Sequence, residues 1–241
     1  YVLHRAGRLK QEPTAAADNG LWVYNHELTK QNTEVYKGGS PFGHPTRMSI
    51  DSEGYLYISD WSDAQSGIYV ANTADLTQNF TQFFAGNRGV GNGKFTNNGD
   101  AIGSSTPGNF IYGEGKDTKL YVYDEDVASK GVLVYNIGQE DGSILRTWGN
   151  EPSATIKREI SGTGGNSAVW ATSEGVFISQ HRANYASTHP SLQFYDNEGT
   201  LTFSSDNTNM SDGSNGGGFA VSPDERTLII NGGEGSKSFK V

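Results

Sequence analysis

The chain has 241 residues, a formal net charge of −9, 32 Gly, 12 Tyr, 11 Phe and no Cys. That length suffices for one large all-β domain or two small ones, and the aromatic content excludes a disordered chain. The acidic balance disfavours nucleic acid and anionic membranes, and without cysteine no disulfide can contribute.

Taken in order, the chain opens at Tyr1-Val2-Leu3-His4, which reads as a strand with no repeat unit of its own. Because it lacks an initiating Met, the expectation is a processed or trimmed piece of a longer precursor. Residues 15–24 (AAADNGLWVY) then give a short apolar strand, a polar turn and a stronger strand. The clearest unit is residues 45–70, PTRMSIDSEGYLYISDWSDAQSGIYV. At period two, Met48, Ile50, Tyr55, Tyr57, Ile68 and Val70 mark three short strands. Asp51-Ser52-Glu53-Gly54 is the first turn, with Gly available for φ > 0.

The unit returns at residues 110–122 (FIYGEGKDTKLYV), 168–178 (AVWATSEGVFI) and 219–230 (FAVSPDERTLII). Third strands are expected at residues 67–71, 131–136, 191–196 and 236–241. Fourth strands are expected at residues 33–37, 81–85, 144–148 and 201–204. No window shows a helical apolar stripe. Each unit alone leaves faces and edges unburied, so the units must stack. Five four-stranded units in a ring make a β-propeller. Residues 1–6 then complete the last blade by pairing with its third strand and close the ring. Six blades, an incomplete ring and a β-sandwich are the alternatives; the sandwich predicts more even hairpins and no recurring turn unit.

Pro45-Thr46, Ile50-Asp51, Gly54, Leu56-Tyr57-Ile58 and Asp60, followed by Gly67-Ile68-Tyr69-Val70, resemble an NHL-type propeller repeat. Ser222-Pro223-Asp224-Glu225-Arg226-Thr227-Leu228 is similar to the SPDG-x-TL turn of lactonase-like and gluconolactonase-like propellers, with Glu225 where Gly is usual. The likeness is good for one blade and partial for two others, and it covers about half the chain. It implies blades rather than chemistry. NHL-like propellers are mostly binding platforms, whereas gluconolactonase-like ones carry a divalent metal at the centre of one face.

In such blades the first strand is innermost and the long loops share one face, here residues 60–67, 86–100, 124–131, 149–166, 180–190 and 206–218. Asn98, Asp100, Asn166, Asp212 and Asn215 could offer oxygen ligands to Ca²⁺, although Asn and Asp beside Gly also make Asx-turns. Asp100 and Asn166 match the Asn and Asp of a gluconolactonase-like set. The early Glu has no counterpart beyond Glu12, in a different context. His181 and His189, with Arg182 and Tyr185, lack metal-motif spacing, and His44 is a general base or a strand-entry donor. No Gly-x-Ser-x-Gly elbow is present, and GVGNG at residues 89–93 has no Lys-Ser/Thr after it. Trp61, Asp63, Phe95, Trp148 and Tyr185, with His181 and Arg182, combine aromatic faces with polar groups suited to a glycan or a protein partner. Trp22 and Trp170 are expected to pack between blades.

The reading is therefore an exported five-bladed propeller, secreted or on a bacterial envelope, that binds a glycan or partner protein on its long-loop face without catalysis. The alternative is a calcium-dependent lactonase or hydrolase with Asp100, Asn166 and Asp212 around the ion. A structural spacer in a larger chain is a third.

Overall fold

The computed structural model describes residues 2–4, 20–29, 45–60, 67–75, 81–82, 108–124, 131–145, 153–157, 168–179, 192–204, 219–232 and 235–240. Among them are seventeen strands, two short 3-10 turns (Thr73–Asp75 and Gly115–Asp117) and no α-helix. Among the described residues no helix is long and apolar enough to cross a membrane. All strand pairs among these residues are antiparallel, in five sheets.

The first sheet is β1 (Val2–His4) with β2 (Gly20–Trp22). The second runs β3 (Pro45–Ile50), β4 (Tyr55–Asp60), β5 (Gly67–Asn72), β6 (Thr81–Gln82). The third is β7 (Gly108–Tyr112), β8 (Lys119–Asp124), β9 (Gly131–Asn136), β10 (Ala154–Lys157). The fourth is β11 (Ala168–Ala171), β12 (Gly175–Ser179), β13 (Leu192–Asp196), β14 (Leu201–Ser204). The last is β15 (Phe219–Val221), β16 (Thr227–Gly232), β17 (Gly235–Lys240).

Two strand assignments differ from expectation. The N-terminal strand is not spare: Val2 lies opposite Trp22 and His4 opposite Gly20. β1 also packs against β3, so it leads the first unit, and the last sheet has three strands among the described residues. In the third unit the fourth strand is Ala154–Lys157, not residues 144–148. Ile144 only bridges Gly138. A turn built on Gln139, whose N–H reaches Ser143 O at 2.9 Å, folds Ile144 back into the core instead of letting it extend.

Burial explains the stacking. A half-buried strand alternates, but Leu56, Tyr57, Ile58 and Ser59 are all buried, the mark of a sheet covered on both faces. Leu56 and Ile58 pack with Leu21 of the first sheet. Tyr57, with Ile68 and Val70, packs instead against Ile111, Leu120, Val122 and Leu133 of the third. The opposite face of the third sheet (Tyr121, Tyr123, Val132, Val134) meets Val176, Ile178 and Tyr195 of the fourth. Phe177 and Leu192 of the fourth meet Val221 and Leu228 of the last. Each such side chain contributes roughly 1.5–3 kcal/mol before entropy is counted. The first strands follow one another through the stack: β3 packs on β7, β7 on β11, β11 on β15. Phe110 and Trp170 stack between two of them, centroids 4.3 Å apart, so Trp170 packs between units as expected.

Five turns among the described residues share one hydrogen-bond scheme. The N–H of Leu28, Gly54, Gly142, Gly199 and Glu225 reaches the carbonyl three residues back, and each of these residues has positive φ. Asn25, Asp51 and Asp196 start their turns by accepting two further backbone N–H groups on Oδ1. Glycine holds the left-handed position in three of the five. Leu28 (φ 59°) and Glu225 (φ 57°) hold it in the others, at a cost of about 1–2 kcal/mol each.

Candidate functional site

The sequence-derived candidates Trp61, Asp63, Phe95, Asp100, Trp148, Asn166, His181, Arg182, Tyr185 and Asp212 lie outside the described residues, as do His44, Asn98, His189 and Asn215. The strands fix where their connections attach. Starts of β3, β7, β11 and β15 share one end of the stack, and their short following turns share the other. Connections carrying Trp61 and Asp63 (β4–β5), Phe95 and Asp100 (β6–β7), Asn166 (β10–β11), His181, Arg182 and Tyr185 (β12–β13) and Asp212 (β14–β15) all attach at the first end. Trp148 was expected beside them. It belongs to the β9–β10 connection, which is anchored at the short-turn end because β10, rather than residues 144–148, is the fourth strand.

Between the second and third sheets lies a polar seam that sequence patterning missed. Asn109 of β7 accepts a hydrogen bond from Ser49 Oγ of β3 and donates through Nδ2 to Ser59 Oγ of β4 at 2.6 Å. Ser59 is fully buried and Asn109 is 4 % exposed. Arg47 stands in register with Ser59, and burial lowers its guanidinium below its ordinary value. Gln193, 2 % exposed, accepts from Tyr195 Oη at 3.3 Å. Across the second and third units the seam thus combines the Arg47 guanidinium, the Asn109 amide and the Ser49 and Ser59 hydroxyls, with the Gln193–Tyr195 pair apart from it in the fourth.

The short-turn end carries a tighter cluster. Tyr112, the last residue of β7, donates its hydroxyl to Glu225 Oε1 at 2.6 Å. Ser173, in the β11–β12 turn, donates its N–H at 3.0 Å and its Oγ at 2.5 Å to Glu225 Oε2. Asn197 Nδ2 donates to the Ser173 carbonyl at 2.8 Å. Burial, then the hydrogen bond and charge of Glu225, push the Tyr112 hydroxyl up to about 12. Burial also pushes the Glu225 carboxyl up, but the Ser173 and Tyr112 hydroxyls and the Ser173 amide outweigh it, leaving the group below its ordinary 4.5. Glu53 makes a related reach, its Oε1 accepting the Ile144 N–H at 3.1 Å from the second unit to the third.

The two shifts carry opposite signs. Tyr112 keeps its proton above the ordinary tyrosine value of about 10, so its contribution to stability is full below that pH and is lost as pH rises toward about 12. Glu225 contributes fully above 4.5, and the contribution is lost as pH falls through the depressed folded value. Melting followed against pH should therefore show wild type and Tyr112→Phe converging above about pH 10. A gap that stays constant through the alkaline range would contradict the assignment.

Among the described residues no group of three or more His, Cys, Asp or Glu could hold a metal ion.

No protein-family model matches the chain, and no curated protein sequence matches it. Among solved structures, it is similar to a gluconolactonase from Xanthomonas campestris important in glucose secondary metabolic pathways. The TM-score is 0.54 at 11 % identity, over 91 % of this chain and 64 % of that one. A protein from Lactobacillus plantarum matches with a TM-score of 0.44 at 14 % identity, over 94 % of this chain and 73 % of that one. The chain thus spans a little under two thirds of the gluconolactonase. The likeness is one of fold, a β-propeller-like series of antiparallel sheets.

Proposed function

We propose that the chain is a five-unit β-propeller, with its first and last sheets adjacent, that binds a glycan or partner protein at its long-loop end without catalysing a reaction. The observation that carries this reading is the succession of β3, β7, β11 and β15 through the stack. With antiparallel pairing, the connections into these strands and those leaving β4 and β12 attach at one end, and by sequence they carry Trp61, Asp63, Phe95, His181, Arg182 and Tyr185. Function gathers on loops held by a rigid scaffold, and aromatics among Asn, Asp and Ser suit sugar rings or a protein hot spot. Richness in Asn, Thr, Ser, Gly and Tyr fits a protein exported to the cell surface or beyond. A glycan array probed with wild type, Trp61→Ala and Tyr185→Ala tests the glycan arm. Binding lost in both variants supports it, and a wild type that retains no glycan leaves the protein-partner arm.

A second reading is favoured by the fold likeness to a gluconolactonase: a calcium-dependent lactonase holding Ca²⁺ through Asp100, Asn166 and Asp212. Those residues are oxygen donors of the kind Ca²⁺ takes, and the connections carrying them lead into β7, β11 and β15 at one end. The ion would supply Lewis-acid polarisation of a lactone carbonyl. Thermal unfolding in EDTA and then in Ca²⁺ separates the readings. A site filled at a hundredfold excess over Kd adds about 2.7 kcal/mol, a rise of several degrees at this length. A rise that Asp100→Ala abolishes supports the lactonase; identical midpoints remove it.

A further inference from the structure

We infer that Glu225 is a clasp: it occupies a glycine position because its carboxylate ties three successive sheets together at the short-turn end. The internal comparison carries the argument. Gly54, Gly142 and Gly199 hold the equivalent left-handed position, with φ of 81°, 82° and 84°. An L-residue there is strained, so a side chain whose contacts outweigh that strain can be told from one that merely tolerates it.

Glu225 has one within hydrogen-bond reach. Its Oε1 takes the hydroxyl of Tyr112 from the third unit and its Oε2 takes the N–H and Oγ of Ser173 from the fourth. The residue itself belongs to the turn between β15 and β16 of the fifth. Charge-assisted bonds of this length are the strong kind. Tyr112 and Glu225 are 113 residues apart and sit in units separated by a whole sheet, so the bond spans more than one sheet-to-sheet interface. Leu28 offers the contrast. It holds the same left-handed position with φ 59° but is 80 % exposed.

The test compares two substitutions that relieve the same backbone strain. Leu28→Gly should leave the melting midpoint unchanged or raise it. Glu225→Gly should lower it by several degrees at this length, because the relief is outweighed by three lost hydrogen bonds. A double-mutant cycle adds a readout that a simple turn residue would not move. Tyr112→Phe should lower the midpoint in the wild-type background and have little further effect in Glu225→Gly, with circular dichroism confirming a folded sheet in each variant. A midpoint that rises or holds in Glu225→Gly overturns the clasp. So does an equal fall in Leu28→Gly, or full additivity of Tyr112→Phe with Glu225→Gly.

Discussion

Tyr57→Ala is expected to lose about 3–5 kcal/mol of unfolding free energy, the range for deleting a buried aromatic ring. The ring is fully buried between the second and third sheets, packed with Ile68, Val70, Ile111, Leu120 and Leu133. Its hydroxyl donates to Asp51 Oδ2 at 3.0 Å, while Oδ1 of the same carboxylate accepts the N–H groups of Glu53 and Tyr55. One side chain therefore joins the interface between units to the turn that reverses the chain. Tyr57→Phe keeps the packing and removes only the hydroxyl bond, so about 1–3 kcal/mol should be lost. Urea unfolding of the two variants separates the parts. A loss below about 1 kcal/mol for the alanine would mean that the two sheets are not packed through this ring.

Gly138→Ala is expected to cost about 3 kcal/mol, the upper range for forcing atoms into a packed site. A Cβ built at Gly138 would stand 2.1 Å from Gly115 O and 2.5 Å from the carbonyl of Lys116. The backbone cannot slide away cheaply. The N–H groups of Ile137 and Gly138 both bind Thr118 O, at 3.0 and 2.9 Å, and Ile137 and Ile144 plug the core on either side of the turn. Gly142→Ala is the matched comparison. Nothing lies within 4 Å of its Cβ, and only φ of +82° opposes it, a cost of about 1 kcal/mol. Denaturant midpoints should rank Gly138→Ala well below Gly142→Ala, and the reverse order would contradict the docking of residues 137–145.

The strands were legible because stacked sheets bury both faces and so concentrate aromatic and branched residues, as in β4, β8, β9 and β12. Edges were less so. β10 exposes Ala154 and Thr155 and buries Ile156, which leaves little pattern, whereas Ile144-Leu145 imitates a strand while serving as a plug. Which strand pairs with Val2–His4 is a non-local question that periodicity cannot answer; its partner lies beyond a connection running from residue 5 to residue 19. Glu225 stood out in the sequence as a departure from the SPDG-x-TL turn, but Tyr112 and Ser173 are 113 and 52 residues away, too far for any local signal. The polar seam was missed for the same reason: Ser49, Ser59 and Asn109 read as ordinary strand polar residues until two sheets meet. Loop candidates such as Trp61 and Asp100 rested on chemical type and on a place in the long connections, and no local pattern says which of those side chains converge.

The double-faced sheets have a consequence for how this architecture can be rearranged. Each inner sheet presents two different surfaces, aliphatic Leu120 and Val122 on one side of β8 and Tyr121 and Tyr123 on the other. Adjacent units therefore fit one another as distinct, directional pairs rather than as copies of one module. New termini opened in a long connection would leave every pair intact. Exchanging or duplicating a unit would bring mismatched surfaces together at two seams at once, so the order of the units is written into their side chains as firmly as into the chain that links them.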